Sequence, residues 1–416
     1  MLKFVTGARC TVCGSVTEAG PELTVCPKCG GILDIEYDYE AIGRAVTPAD
    51  LEKREDPTMW RYREFLPVEP SSPEQISRLK VGGSPLYRAD RLAEVIGLAK
   101  GNLWIKDDGI NPTSSLKDRA SAMAVVKAYE AGKTTIACSS TGNAASSLAG
   151  NAAAAGMETW IFVPSRAPKG KVAQLKMFGA NMLLVDGSYE DTFRISAEAI
   201  DHFGWYNRNA AINPYLMEGK KTVSLELAEQ MRFEMPDYVA VSVGDGCTIA
   251  GVWKGLVDLK KSGFISRLPR LISVQAEGCC PINTAAAART ETWSPQEENT
   301  IADSIAVGVP RNPLKAIRAV ISSDGVTVNV SDDEILAAMR LAGKYAGVFA
   351  EPAGATGLAG VKKAVETGLI PPTASVAAIV TGNGLKDVAN AIKAAGEPEL
   401  ISPEMDSLLA AMERIR

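Results

Sequence analysis

One histidine, His202, stands alone in 416 residues. A metal centre built from several imidazoles is therefore excluded, and a Ser-His-Asp relay would rest wholly on that position. His202 falls at the end of an amphipathic helical pattern, where a structural role suffices. No apolar run approaches the ~20 residues that a membrane-spanning helix needs. No basic run stands out and the net charge is -5, so neither nucleic acid nor a membrane is expected as a partner. The first residues lack the apolar stretch of a secretory signal, which sets a cytoplasmic expectation. If the protein is an enzyme, lysine, carboxylates or a cofactor must carry the chemistry.

Eight cysteines are present, and they divide into two groups. Cys138, Cys247, Cys279 and Cys280 are scattered. Cys10-x2-Cys13 and Cys26-x2-Cys29 form a paired set. With no secretory signal, a disulfide framework is not favoured. Two such knuckles in close succession read as a four-thiolate structural zinc ribbon with no open ligand position. The ribbon is expected over residues 1–38, and a linker with short helical pieces over 39–79.

Beyond residue 80 strand-like and helical patterns alternate. Strands are predicted at 103–106, 134–138, 159–163, 182–185, 238–243, 271–276 and 376–381. Helices are predicted at 115–131, 144–155, 169–179, 188–203, 220–235, 249–262, 332–346 and 385–395. The alternation predicts an α/β fold with two doubly wound, mostly parallel sheets. A large domain would comprise 80–120 and 208–398, with a smaller one, 121–207, inserted in it. A C-terminal helix would occupy 399–416. Parallel sheets of this kind bind ligands at the carboxyl ends of their strands.

The stretch Asn111-Pro-Thr-Ser-Ser-Leu-Lys-Asp-Arg119 follows the first strand of this region. Pro112 keeps Asn111 extended. Thr113, Ser114 or Ser115 is expected to cap the helix that follows. Lys117 would then lie in the first helical turn, where the positive dipole end disfavours an ammonium. A depressed pKa is what a Schiff-base lysine needs. On local chemistry alone, a surface lysine beside Asp118 is an equal reading.

Three more strand-to-helix loops carry hydroxyls and glycines: Ser139–Ala144, Gly244–Thr248 and Thr381–Lys386. The first two read as anion cradles. In the second, Thr248 is expected to cap both helix and ligand. Gly132-Lys-Thr resembles the end of a P-loop, but Lys127 stands where a glycine is required. Gly244-Asp-Gly resembles a dinucleotide fingerprint, but Ile249 stands where its third glycine belongs. That weakens a nicotinamide-dependent dehydrogenase. A non-catalytic binding module leaves the Lys117 stretch unexplained.

Several of these stretches together resemble the fold-type II pyridoxal-phosphate enzymes, the tryptophan synthase β superfamily, with threonine synthase the nearest kind. The motifs are Asn111–Arg119, Ser140–Ala144, Gly170–Gln174, Ile212–Tyr215, Glu218–Thr222, Glu351–Ala355 and Thr381–Asp387. The resemblance implies pyridoxal 5'-phosphate, with Lys117 as the lysine that holds it and acts as catalyst. It implies Asn143 as a contact to the pyridoxal hydroxyl. Gly244, Asp245, Gly246, Cys247 and Thr248 are implied as the phosphate loop, and Thr381 as the partner of the ring nitrogen. Ser140, Thr141, Gly142 and Ala144 are implied on the substrate side, gripping a carboxylate. A homodimer is also implied.

The departures fall on the substrate side. The family places a hydroxyl where this chain has Ala144, Asn and Ser where it has Ala210 and Ala211, and Arg where it has Leu216. Lys169, Lys171 or Arg166 is left to substitute from another loop, with Lys171 taken as the substrate-side candidate; an altered leaving group or a different substrate is the plainer inference. The nominal activity implied is conversion of O-phosphohomoserine to threonine and phosphate. The alternative is an ammonia-lyase, dehydratase or β-replacement synthase of the cysteate-synthase kind, acting on a different small amino acid.

Overall fold

The computed structural model describes residues 2–140, 142–165, 169–209 and 212–415. Its N-terminal part is a three-stranded antiparallel sheet, with Val5–Cys10 between Val16–Thr17 and Leu33–Tyr37. Its two Cys-x2-Cys turns have the same build. Gly14 N–H donates to the Cys10 carbonyl and Gly30 N–H to that of Cys26. Both glycines have φ of +72°, a conformation that a side chain disfavours. Residues 39–79 form short helices, among them Tyr39–Ala45, Pro48–Glu52 and Ser72–Ile76.

A six-stranded sheet follows, in the spatial order 326–330, 270–276, 238–242, 376–380, 103–107 and 86–88. All its pairings are parallel except that of Leu86–Arg88 with Leu103–Asp107. Tyr238–Ser242 and Val376–Val380 are buried along their whole length, as strands covered on both faces should be. A second sheet of four parallel strands runs in the order 181–185, 158–164, 135–139 and 206–207.

Every strand expected from the sequence is present, but several elements were not anticipated. Val326–Val330 extends the large sheet, and Pro313–Ser322 is a helix. The helix expected at 220–235 runs from Pro214 to Gln230. The C-terminal helix begins only at Met405. The largest omission is the buried helix Pro352–Glu366, whose sequence carries Gly354, Gly357 and Gly360. Glycine weakens a helix locally, yet here it permits close packing. A Cβ on Gly360 would lie 2.2 Å from Val274 of the sheet beneath.

The helix Lys117–Glu130 packs against the helices Pro214–Gln230 and Asn143–Ala154 and against the strand Thr135–Ser139 of the second sheet. A buried ionic cluster fixes its first turn. Arg119 donates to both oxygens of Asp108, at 2.6 and 2.8 Å, and to Glu226. Lys106 also donates to Glu226. Despite burial, the cations Arg119 and Lys106 hold the Glu226 carboxyl down at about 2.

Candidate active site

One cleft receives residues from four of the loops singled out above. Lys117, Asn143, the whole Gly244–Thr248 loop and Thr381 line it. So do Lys220 and Glu351, which lie in two of the motifs quoted above but were given no role, and Ser242 and Ser304.

The Lys117 loop is not capped as expected. The N-cap position is Leu116, and no side chain caps the helix. The Thr113 amide and hydroxyl instead both donate to Asp118, each at 2.8 Å. Asn151 donates to the same carboxylate at 2.8 Å. Ser114 takes φ of +69°, rare for a residue with a Cβ. Its carbonyl accepts from Asn383 N–H at 3.1 Å, and Leu116 N–H donates to the Thr381 carbonyl at 2.9 Å. Main-chain bonds thus stitch the Lys117 loop to the Thr381 loop, which brings two distant segments to one cleft.

Lys117 is lowered to about 8. Burial is the main cause, with the charges of Lys220 and Arg208 adding to it, while Cys247 and Asp245 oppose it. The cause is therefore enclosure and neighbouring cations rather than the helix dipole alone. Arg208 is itself 1 % exposed. Its Nε and Nη2 donate to the Ser121 hydroxyl at 3.2 and 3.1 Å, and no carboxylate partner is found among the described residues.

The Gly244–Thr248 loop ends the strand Tyr238–Ser242 and opens the helix Cys247–Lys261. Gly246 has φ of +85°, and a Cβ there would lie 2.4 Å from the Asn312 carbonyl oxygen. A Cβ on Gly244 would lie 2.7 Å from Ile305 Cα. Only glycine fits between these two segments. Thr248 is not the cap. The N-cap position is Gly246 with no side-chain bond, and Thr248 lies inside the helix. The Asp245 carboxylate accepts from Arg311 N–H at 2.6 Å and from the Cys247 thiol at 3.4 Å. Its charge is thus engaged by the loop's own neighbours, and the loop's amides stand at the positive end of a fifteen-residue helix.

On the opposite wall Asn143 begins the helix Asn143–Ala154 and donates to Glu351 Oε1 at 2.7 Å. Ser140 Oγ accepts from Gly142 N–H at 3.2 Å. Ala144 is half-buried. Leu216, 2 % exposed, belongs to the apolar core that holds Ala145 and Leu148. Thr141, Ala210, Ala211, Arg166 and the Lys171 side chain lie outside the described residues.

Residues 78–382 match the family model for pyridoxal-phosphate dependent enzymes. The chain belongs to that family. The likeness to threonine synthases extends over nearly the whole sequence. A threonine synthase of Methanosarcina acetivorans is 37% identical over 408 residues, 97% of this chain and 98% of that one. One from Methanocaldococcus jannaschii is 37% identical over 409 residues, 98% and 99% of the two chains. Among solved structures, processed threonine deaminase isoform 2 of Solanum lycopersicum shares the fold with TM-score 0.64 at 21% identity, over 75% of this chain and 87% of that one. Diaminopropionate ammonia lyase of Escherichia coli does so with TM-score 0.64 at 22% identity, over 75% and 86%. The protein is a pyridoxal-phosphate-dependent lyase of threonine-synthase-like type. The residues present fit the cofactor: a buried amine of low pKa faces a glycine loop at a helix N-terminus, and a second buried cation, Lys220, stands beside it.

The four N-terminal cysteines also converge. Their sulfurs lie within 4.8 Å of one another, a spacing that suits one tetrahedral ion held by thiolates.

Proposed function

We propose that the protein converts O-phosphohomoserine to threonine and phosphate. The observation that carries a lyase reading is Lys117: a buried amine, near-neutral in pKa, that faces a glycine loop across one cleft. The likeness to threonine synthases over nearly the whole chain supports the substrate.

Pyridoxal phosphate, when bound, supplies the electron sink that acidifies the α-C–H of an amino acid. The chain's residues do the rest. Lys117 Nζ, low in pKa, takes and returns the proton. The Gly244–Thr248 amides hold the phosphate. Thr381 offers a neutral hydroxyl to the ring nitrogen and so leaves it unprotonated, which favours elimination and replacement over transamination. Asn143 orients the ring hydroxyl, its amide set in turn by Glu351. Ser140, Thr141, Gly142 and Ala144 receive the substrate carboxylate, and Lys171 supplies a cation to the substrate phosphate. Zinc on Cys10, Cys13, Cys26 and Cys29 braces the ribbon, and the chain works as a homodimer in the cytoplasm.

A second reading is favoured by Leu216. Where the family resemblance places an arginine for the substrate phosphate, this side chain is buried among apolar neighbours. An unphosphorylated, β-substituted amino acid would suit that wall, with elimination of ammonia or β-replacement as the reaction.

Phosphate release and threonine formation from O-phosphohomoserine by the cofactor-loaded protein decide between them. Release of both products is the expected result. An intact visible cofactor band with no phosphate released would rule the first reading out and leave the second.

A further inference from the structure

We propose that Lys220 is a ligand of the cofactor's phosphate, closing from the side the cradle that the Gly244–Thr248 loop opens. The argument begins with a contrast among buried lysines. Lys106 meets Glu226, Lys127 meets Glu130, Lys221 meets Glu218 and Asp258, and Lys315 meets Asp34. Lys220 is 3 % exposed and has no hydrogen-bond or ion-pair partner among the described residues. A buried ammonium without a counter-ion is strongly unfavourable.

Its surroundings make this worse. Lys117 lines the same cleft, and so does the positive end of the Cys247–Lys261 helix. Two acidic side chains line the cleft, and both are engaged: Asp245 by Arg311 N–H and the Cys247 thiol, and Glu351 by the Asn143 amide. Two cations and a helix N-terminus around one cavity call for a multiply charged anion.

Helix packing aims Lys220 at the loop. The helices Pro214–Gln230 and Cys247–Lys261 run parallel: Gly251 lies against Met217, Lys220 and Lys221, and Gly255 against Lys221 and Ser224. A Cβ on Gly251 would lie 3.2 Å from Lys220 Cβ, so Lys220 starts one turn inside the neighbouring helix. Helical side chains lean toward their own N-terminus. The long Lys220 stem therefore reaches back to the level of Gly244–Thr248, consistent with its place in the cleft lining. The substrate-side loop contributes only Asn143 to that lining among the described residues. This favours the cofactor's phosphate over a substrate's as the anion.

The test is equilibrium binding to the apoprotein, with no amino-acid substrate present, so its failure is separate from any failure of the O-phosphohomoserine assay. Pyridoxal phosphate and pyridoxal are titrated into the parent, Lys220→Gln and Lys220→Arg. Lys220→Gln should weaken pyridoxal phosphate by about 10- to 100-fold, the range of one charge-assisted hydrogen bond. Pyridoxal, which lacks the phosphate, should bind the parent and Lys220→Gln alike, and Lys220→Arg should recover most of the loss. Melting of the apoprotein gives a second readout. Inorganic phosphate should raise the melting temperature of the parent but not of Lys220→Gln, and apo Lys220→Met should melt above the parent, since an unpaired buried charge is gone. The proposal is overturned if Lys220→Gln holds pyridoxal phosphate as tightly as the parent, whatever it does to O-phosphohomoserine. It is equally overturned if pyridoxal affinity falls in parallel, or if apo Lys220→Met melts below the parent.

Discussion

The two walls of the cleft differ in how they are built. One wall belongs to the six-stranded sheet, where the Gly244–Thr248 loop is wedged so tightly between Ile305 and Asn312 that no side chain fits at Gly244 or Gly246. Behind it, Arg119, Asp108, Lys106 and Glu226 form a fully paired ionic cluster. The other wall belongs to the four-stranded sheet. Of that side the cleft lining holds Asn143; behind it Ala144 and Leu216 stand where the family resemblance leads one to expect polar groups, and Leu216 is packed as core. Cofactor chemistry needs the same groups whatever the substrate, so the first wall tolerates little change. On the proposed reading the second wall gives the cofactor one contact, Asn143, and leaves the rest to the substrate, so retuning that rest would alter specificity without dismantling the catalyst. Rigid, polar and over-determined on one side, smaller and more apolar on the other: the difference separates what makes this a lyase from what chooses its substrate.

The comparison breaks first if the cofactor wall is dispensable. Lys117→Ala should lower turnover by about 10²–10⁴-fold through loss of proton transfer alone, and borohydride should no longer fix the cofactor to the chain. Residual turnover near the parent's would remove Lys117 from the chemistry. In the parent apoprotein, labelling of Lys117 by an amine-reactive acylating reagent should rise with pH and level off above about 8. A plateau reached only near the ordinary lysine range would mean that burial does not tune this amine.

Next in size is the ionic cluster beneath that wall. Glu226→Gln leaves Arg119 and Lys106 short of their shared carboxylate, a loss of about 3–5 kcal/mol of stability. The pH dependence follows from the sign of the shift. Folding lowers the Glu226 pKa, so its contribution is complete above the unfolded value near 4.5 and is lost as pH falls toward about 2. Denaturant melts between those limits should show a slope in the parent that is reduced in Glu226→Gln. An unchanged slope would assign acid lability to other carboxylates.

Local periodicity made much of this legible. Buried parallel strands such as Val376–Val380 are short apolar runs, and they read plainly. Lys117 and the Gly244–Thr248 loop read as a site because hydroxyls, glycines and one lysine followed strands. Other features depend on contacts that no local pattern shows. The Pro352–Glu366 helix is hidden by its glycines, which are there because Val274 and Gly382 press against it. Thr113 looks like a cap, but the distant Asn151 joins it on Asp118 and turns that carboxylate into the organiser of the loop. Lys220 sits among the charged residues of the helix Pro214–Gln230, in Glu218-Gly-Lys-Lys; both lysines are buried, and only the carboxylates that reach Lys221 separate it from the unpaired Lys220. Two signals were available: Lys220 lies inside the Glu218–Thr222 motif, and it has no acid three or four residues away, since Glu218 lies only two positions from it.

The smallest expected effect sharpens the comparison from the other wall. Ala144 is half-buried in the first turn of the helix Asn143–Ala154, and the family resemblance places a hydroxyl there. Ala144→Ser adds one donor near a helix N-terminus at little cost to folding, since serine is well tolerated at such positions. If a phosphorylated substrate is processed at this wall, one added hydrogen bond of about 0.5–1.5 kcal/mol should lower KM for O-phosphohomoserine by about 2- to 12-fold. Affinity for pyridoxal phosphate should not change, because the cofactor wall is untouched. A parallel gain in cofactor affinity would show that the two walls are not independent. An unchanged KM, with turnover of an unphosphorylated amino acid intact, would mean that the alanines and Leu216 have already committed this wall to a smaller substrate.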